Sequence, residues 1–311
     1  MILVADFGGT TIKLGLVQDA RIVANRRIDA LADHTMQDRL EAVAKAWECL
    51  LDEHSLTMKE CTGVALALPF LVDSKNFRVC GEFGKFPDAT EINFSKWSDI
   101  RLGLPLVMEN DLRLALLGES VVGAAQEKEH VVMFAFGTGI GCAVMSDGKI
   151  FSGVHNRAAS LLGHSSIAYN GSVGRCGNLG CAEDLASTAT LGELVKSHPD
   201  FTKSSLSHAA RIDYETLFTQ AEAGDVCSLK IRDQSLKTWA TLVQNSVLAY
   251  DPELVVLGGG VLKSQEIILP AIREHLRRYM PSIPWEIPIV AATLGDDAAL
   301  IGGEALFLQH H

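Results

Sequence analysis

Residues 2–17, ILVADFGGTTIKLGLV, and residues 131–145, VVMFAFGTGIGCAVM, are one pattern written twice. In each copy an apolar run enters a glycine turn and leaves it as a second apolar run, which reads as two paired strands and their connection. Ile2 to Asp6 and Ile12 to Val17 flank Gly8-Gly9, and a third strand, Ile22 to Ile28, follows a turn near Asp19. QDARIV after the first copy is answered by SDGKIF after the second with a shift of one residue, and Asp147-Gly148 is a strong hairpin dipeptide. Such a duplication implies two related domains facing each other.

Working outward, Leu40, Val43, Ala44, Trp47, Leu50 and Leu51 recur at helical spacing in a segment that begins near Thr35. Gly63 to Leu68 reads as a buried strand, and Leu185 to Tyr250 as mainly helix. Leu254 to Leu257 is a short strand running into Gly258-Gly259-Gly260, and Asp296 and Asp297 are placed to cap a last helix through Leu308. The expected division is an α/β domain over residues 1–117, with the helix of 297–311 packing back on it, and a second α/β domain over 118–296.

The chain has 311 residues, 48% hydrophobic and 21% charged, enough for two buried cores. Its net charge of −11 opposes the negative field of nucleic acid or an anionic membrane, so neither is an expected partner. MILVADFGGT has no basic stretch ahead of its apolar run, and the uncharged run from His130 to Ser146 is too short to span a bilayer as a helix. A cytoplasmic protein is expected. Seven cysteines, an odd number, suit a reducing compartment, with Cys49 and Cys227 as core residues.

Asp6 opens a turn in which Gly8 and Gly9 would let backbone N–H groups approach a phosphate, while Thr10 and Lys13 add a hydroxyl and a positive charge. Alone, that turn reads equally well as a hairpin without ligand. A second cradle at Gly137, Thr138 and Gly139, and the strand end at Gly258 and Gly259, shift the reading to a nucleotide held by its phosphates. Between the cradles, Glu109-Asn110-Asp111 closes an apolar stretch and precedes a helical one. Phosphoryl transfer to an alcohol needs a carboxylate to take the proton, and Asp111 is the candidate, with Asn110 orienting a neighbouring hydroxyl. The structural alternative for Asp111 is a helix N-cap.

DFGGTTIK, ENDLRLALLGE, FGTGIGC, LGHSSIA, GRCGNLGCAEDLAS and VVLGGGV, in this order over nearly the whole chain, resemble the ROK family (repressors, open reading frames, kinases). The resemblance implies a two-domain actin/hexokinase (ribonuclease H-like) fold with an interdomain cleft, ATP with magnesium, phosphorylation of a hexose or amino-hexose, and a homodimer. It implies Asp111 as general base, Asn110, His164 and Glu183 at the sugar, and Thr10, Thr138 and Gly259 near the nucleotide. The family's repressors carry a helix-turn-helix ahead of the first motif, whereas five residues precede Asp6 here, which favours the kinase branch. The alternatives are a weakened sugar-binding regulator of the same fold and, with less support, a zinc-dependent hydrolase.

Two departures stand out. The family's Glu-x-Gly-His is Leu161-Leu162-Gly163-His164 here, and leucine cannot accept a sugar hydroxyl's hydrogen bond. The family's zinc motif takes one His and three Cys, but Gly174 stands at the first Cys position, leaving His164, Cys176 and Cys181. Either another residue or water completes a zinc site there, or the metal has been lost.

Overall fold

The computed structural model describes residues 1–81, 84–279, 281–282 and 287–311. The chain forms two compact units, one of Met1–Glu127, Ile150–Ala158 and Thr293–His311, the other of Lys128–Lys149 and Ala159–Ala292.

The first unit opens with the meander β1 (Ile2–Phe7), β2 (Thr11–Gln18) and β3 (Arg21–Asp29). Its register sets Asp6 opposite Lys13 and Phe7 opposite Ile12, so the glycine turn joins directly paired residues. Helix α1 (Met36–Glu53) follows, N-capped by Thr35, whose side chain accepts from the Asp38 N–H at 3.1 Å. Its buried stripe includes the predicted residues, but Cys49 lies off the stripe and is exposed, which corrects the core assignment made for it. Strand β4 (Gly63–Leu68) then lies parallel to β1, and β5 (Leu71–Asp73) and β6 (Arg78–Cys80) form a small hairpin. After α2 (Phe94–Arg101), β7 (Leu106–Asn110) lies parallel to β4 and passes straight into α3 (Asp111–Val122). The sheet order is β3-β2-β1-β4-β7.

The second unit repeats this plan. Strands β8 (Val131–Phe136), β9 (Ile140–Ser146) and β10 (Lys149–Ile150) form its meander. Asp147 and Gly148 both adopt positive φ, 52° and 69°, the backbone of a two-residue hairpin turn whose twist matches the strands. Helices α4 (Ala182–Ala186), α5 (Thr188–Ser197), α6 (Tyr214–Glu222) and α7 (Val226–Tyr250) precede β11 (Leu254–Gly258), and α8 (Gln265–Tyr279) precedes β12 (Ile289–Ala291). The sheet order β10-β9-β8-β11-β12 is the first sheet's order again, so the duplicated sequence is a duplicated topology. Cys227 is buried here, as expected.

The last helix, α9 (Ala298–His310), belongs to the first unit and packs on α3. Their backbones approach closely: a Cβ on Gly302 would stand 1.8 Å from the Leu114 carbonyl oxygen, and one on Gly118 2.1 Å from that of Ala298. Only glycine fits either position. Neither aspartate caps α9 through its side chain: Asp297 makes no capping bond, and Asp296 is engaged by two cations. That corrects the capping expectation: long-range charge partners claim the Asp296 carboxylate, and Asp297 ends a 3-10 turn with helical φ and ψ rather than the extended backbone from which a side chain caps.

Candidate active site

In the first unit the cross-strand pair becomes an ion-pair chain. Lys13 Nζ lies 3.2 Å from Asp6 Oδ2 and 3.1 Å from Asp296 Oδ1, and Arg27 Nη2 donates to Asp296 Oδ2 at 2.9 Å. Burial pushes the Asp6 carboxyl above its ordinary range, with Lys13 opposing. The glycine turn is tight at one place: the Gly8 N–H donates to the Thr11 carbonyl at 3.0 Å, and a Cβ there would come 2.7 Å from that oxygen. Gly9 has ordinary room and looks onto Lys85, whose Nζ would stand 3.5 Å from a Cβ at that residue. Thr10 is exposed, and its carbonyl accepts from the Ala30 N–H at 2.9 Å.

The junction of β7 and α3 sets the acidic group. Asn110, not Asp111, is the N-cap: its Oδ1 accepts from the Leu112 and Arg113 N–H groups at 3.1 and 3.3 Å. Its Nδ2 donates to the Phe70 carbonyl at 3.2 Å and to Asp111 Oδ1 at 2.9 Å. Asp111 Oδ1 also accepts from the Leu112 N–H at 2.8 Å, while its Oδ2 takes no hydrogen bond among the described residues. Burial first, and then the charge of Asp6, push the Asp111 carboxyl up to about 6, against the opposing pull of the Leu112 N–H, Lys85 and Asn110. Among the described residues, one oxygen is pinned and the other is open to a proton.

Behind this pair, buried Glu109 accepts from Ser74 Oγ at 2.8 Å and from Arg113 Nη1 at 3.1 Å. Arg113, 1% exposed, donates through Nη2 to the Asn156 and Ala158 carbonyls at 3.2 and 3.0 Å, which ties residues 156–158 to α3. Sequence reasoning passed over Ser74, Lys85 and Arg113. Arg113 alone left a signal, as a charge inside the apolar run of LRLALL.

In the second unit the turn after β8 leans on a helix. The carbonyls of Gly137 and Thr138 accept from the Thr188 and Ala189 N–H groups at 2.9 and 3.3 Å, the first turn of α5. Glu183 on α4 accepts from the Ile140 N–H at 2.8 Å through Oε2, which stands 2.6 Å from where a Cβ on Gly139 would lie. Its Oε1 is 3.9 Å from His164 Nδ1. Gly163 presses on the Ile140 carbonyl oxygen, 1.9 Å from a would-be Cβ, and so seats His164 beside the same strand. Leu161, 39% exposed, precedes that turn. Cys181 Sγ lies 3.7 Å from His164 Nδ1, and with Cys176 Sγ all three donors fall within 4.8 Å of one another. Gly259 has φ +90°, with the Phe136 carbonyl oxygen 2.3 Å from its missing Cβ, so the strand end at Gly258-Gly259 abuts the end of β8.

Each unit thus gathers its own predicted residues. Asp6, Lys13 and Asp111 share electrostatics in the first, and Gly137, Thr138, Gly139, His164, Glu183, Cys176 and Cys181 are connected in the second.

Comparison with known proteins places this arrangement. The ROK family profile matches residues 2–310. A glucokinase of Thermotoga maritima is 30% identical, over 98% of this chain and 96% of that protein. Among solved structures, the ROK hexokinase from Thermus thermophilus is 27% identical with a TM-score of 0.83, covering 100% of this chain and 99% of that one. A ROK glucokinase from Streptomyces griseus, solved with glucose and AMPPNP, is 25% identical with a TM-score of 0.77 over 98% of each chain. The expected actin/hexokinase-like α/β class is therefore the one found.

Proposed function

Because this chain belongs to the ROK family, we propose that it is an ATP-dependent sugar kinase that phosphorylates a hydroxyl of a hexose or amino-hexose, with Asp111 as general base. The observation that carries the proposal is the Asp111 carboxylate, whose Oδ1 is fixed by the Asn110 amide and the Leu112 N–H and whose Oδ2 takes no hydrogen bond among the described residues. Its acidity, pushed up to about 6, leaves it ionised at neutral pH yet basic enough to accept a proton. In the reaction Asp111 Oδ2 takes the hydroxyl proton as the sugar oxygen bonds to the terminal phosphorus, and the bond from that phosphorus to the ADP oxygen breaks.

Gly8, Gly9, Thr10 and Lys13 in one unit, and Gly137, Thr138, Gly139, Gly258 and Gly259 in the other, are the proposed nucleotide contacts; Asn110, His164 and Glu183 are the proposed sugar contacts. Asp6, a carboxylate beside the first glycine turn, suits a hydrated magnesium ion, which binds through few protein oxygens and supplies charge neutralisation. His164, Cys176 and Cys181 offer imidazole and thiolate donors that fit three corners of a structural zinc site. The same reading has the enzyme acting in the cytoplasm as a homodimer. Among the described residues, no helix is long and apolar enough to cross a membrane.

The deciding experiment is ADP release with ATP and magnesium against a panel of hexoses, amino-hexoses and their N-acetyl forms. At least one sugar should support turnover, and none doing so would leave the weakened regulator as the better account.

Leu161 predicts which sugar. It is 39% exposed and offers no acceptor in the place where the family has Glu, so a hydroxyl left without a partner there costs ~1–3 kcal/mol. Glucose is expected to be a poor substrate, and Leu161→Glu to raise kcat/KM for glucose about 10-fold or more relative to the natural sugar. Wild-type kcat/KM for glucose of ~10⁴ M⁻¹s⁻¹ or above would show that another group supplies the acceptor.

The two cradles should differ in tolerance. A methyl at Gly139 would stand 2.6 Å from Glu183 Oε2 and push the end of that side chain away from the Ile140 N–H, whereas one at Gly9 meets Lys85 at ordinary contact distance. Gly139→Ala is expected to lower kcat/KM on the order of 10- to 100-fold, and Gly9→Ala by much less. Steady-state kinetics varying ATP and sugar separately checks this, and equal losses in the two variants would contradict it.

A further inference from the structure

The segment from Gly174 to Cys181 folds as a knuckle. The Gly174 N–H donates to the Asn178 carbonyl at 2.8 Å, the Gly177 N–H donates to the Gly174 carbonyl at 2.9 Å, and Gly177 and Gly180 take φ of +83° and +56°. This brings Cys176 and Cys181 to His164. Tetrahedral zinc, with Zn–S near 2.3 Å and Zn–N near 2.1 Å, sets sulfur and nitrogen roughly 3.6 Å apart. Cys181 Sγ and His164 Nδ1 already stand at 3.7 Å. The donors suit the ion, and a fourth is wanted.

Gly174 shows where it comes from. A Cβ built on Gly174 would stand 1.9 Å from Asp184 Oδ2 and 3.0 Å from Cys181 Cβ. The volume that a cysteine side chain at 174 would enter therefore holds the Asp184 carboxylate. Its Oδ2 accepts from the Arg175 N–H at 3.0 Å, and its Oδ1 takes no hydrogen bond among the described residues.

We infer that Asp184 is the fourth zinc ligand, replacing a thiolate at position 174 and completing a His164, Cys176, Cys181, Asp184 site. The inference rests on the zinc reading above and deepens it. Zinc accepts carboxylate oxygen as well as sulfur and nitrogen, and one carboxylate for one thiolate leaves the charge of the ligand set unchanged. To join the other three donors, which lie within 4.8 Å of one another, the carboxylate would turn about Cα–Cβ away from the Arg175 N–H. Glu183, 3.9 Å from His164, is held by the Ile140 N–H and faces the Gly139 turn.

The test is zinc content and affinity, measured by metal analysis and chelator competition, with cobalt(II) absorption as the reporter of coordination number and thiolate count. Wild type should hold one zinc per chain, and its cobalt form should show a four-coordinate spectrum with two thiolates. Asp184→Ala should lose affinity about 100-fold or more and shift cobalt to weaker, higher-coordinate bands. Asp184→Asn keeps an acceptor for the Arg175 N–H, so it should fold normally and still bind more weakly than wild type. Gly174→Cys combined with Asp184→Ala should recover affinity with a third thiolate in the cobalt spectrum. Unchanged affinity and spectrum in Asp184→Ala and Asp184→Asn would overturn Asp184 as ligand and leave the three-donor zinc site standing. A wild type that takes up neither zinc nor cobalt would overturn both.

Discussion

Asp111→Asn is expected to lower kcat at least ~100-fold while making the folded chain more heat-stable than wild type at about pH 8. Asparagine keeps the oxygen that accepts from the Asn110 amide and the Leu112 N–H, at 2.9 and 2.8 Å in the wild type, so the start of α3 stays built. What it replaces is Oδ2, by an amide nitrogen that cannot take a proton. A variant with near-normal kcat would remove Asp111 from the mechanism.

The same carboxylate sets two pH dependences of opposite sense. A base must be ionised, so kcat/KM of the wild type should fall about tenfold per pH unit below the folded value of about 6. An acid limb centred near the ordinary 3.8 would show that burial and Asp6 do not raise it. For stability the sign reverses. A carboxyl whose folded value lies above its unfolded one contributes stability that is fully present below about 3.8 and is lost as pH rises through about 6. Above that window wild type holds a carboxylate that the fold disfavours. Asp111 is half-buried, so solvent screening reduces the cost to about 1–2 kcal/mol. The asparagine variant escapes it, and its advantage in thermal melts should shrink towards about pH 4.

What the sequence made legible follows from how local each signal is. Strand pairs around a turn are decided by neighbouring residues, so the two glycine turns and the duplicated meander could be read directly, whereas the places of the parallel strands β4, β7, β11 and β12 depend on distant pairings and could not. The helical stripe of α1 was legible too, and a stricter reading of it would have put Cys49 outside. The α3 cap was displaced by one residue because Asn and Asp are both competent caps, and strand β7 runs on to Asn110 before the helix begins. Asp296 misled for a different reason: its partners Lys13 and Arg27 lie more than two hundred and fifty residues away in sequence. Lys85 beside Gly9 and Asp184 beside Gly174 are likewise products of tertiary packing. The sequence showed only that a side chain was missing at 174, not which one had taken its place.

Glu119 is the sharpest case, since it ends the motif ENDLRLALLGE without announcing a role, and Glu119→Ala is expected to be the most destabilising single change proposed. The side chain is fully buried at the end of α3. Oε1 accepts from the Thr293 and Leu294 N–H groups at 2.9 and 2.8 Å, and Oε2 from the Ala124 N–H at 2.7 Å and Thr293 Oγ1 at 3.0 Å. It therefore clasps the end of α3 to the segment that leads through Asp296 into α9. Truncation strands three N–H groups and a hydroxyl; Ala124 and Leu294 are partly buried and Thr293 is exposed, so each costs less than the ~1–3 kcal/mol of a fully buried unpaired group. Neighbouring losses are not additive, and about 2–4 kcal/mol is expected, still a large part of a typical stability of ~5–15 kcal/mol. Thermal melts should show Tm lower by roughly 5–10 °C. Glu119→Gln, whose amide oxygen still accepts two of the bonds while its NH2 opposes the Ala124 N–H, should lose about half as much. An alanine variant within about 1 kcal/mol of wild type would mean that water can satisfy the stranded donors and that Glu119 is not the clasp.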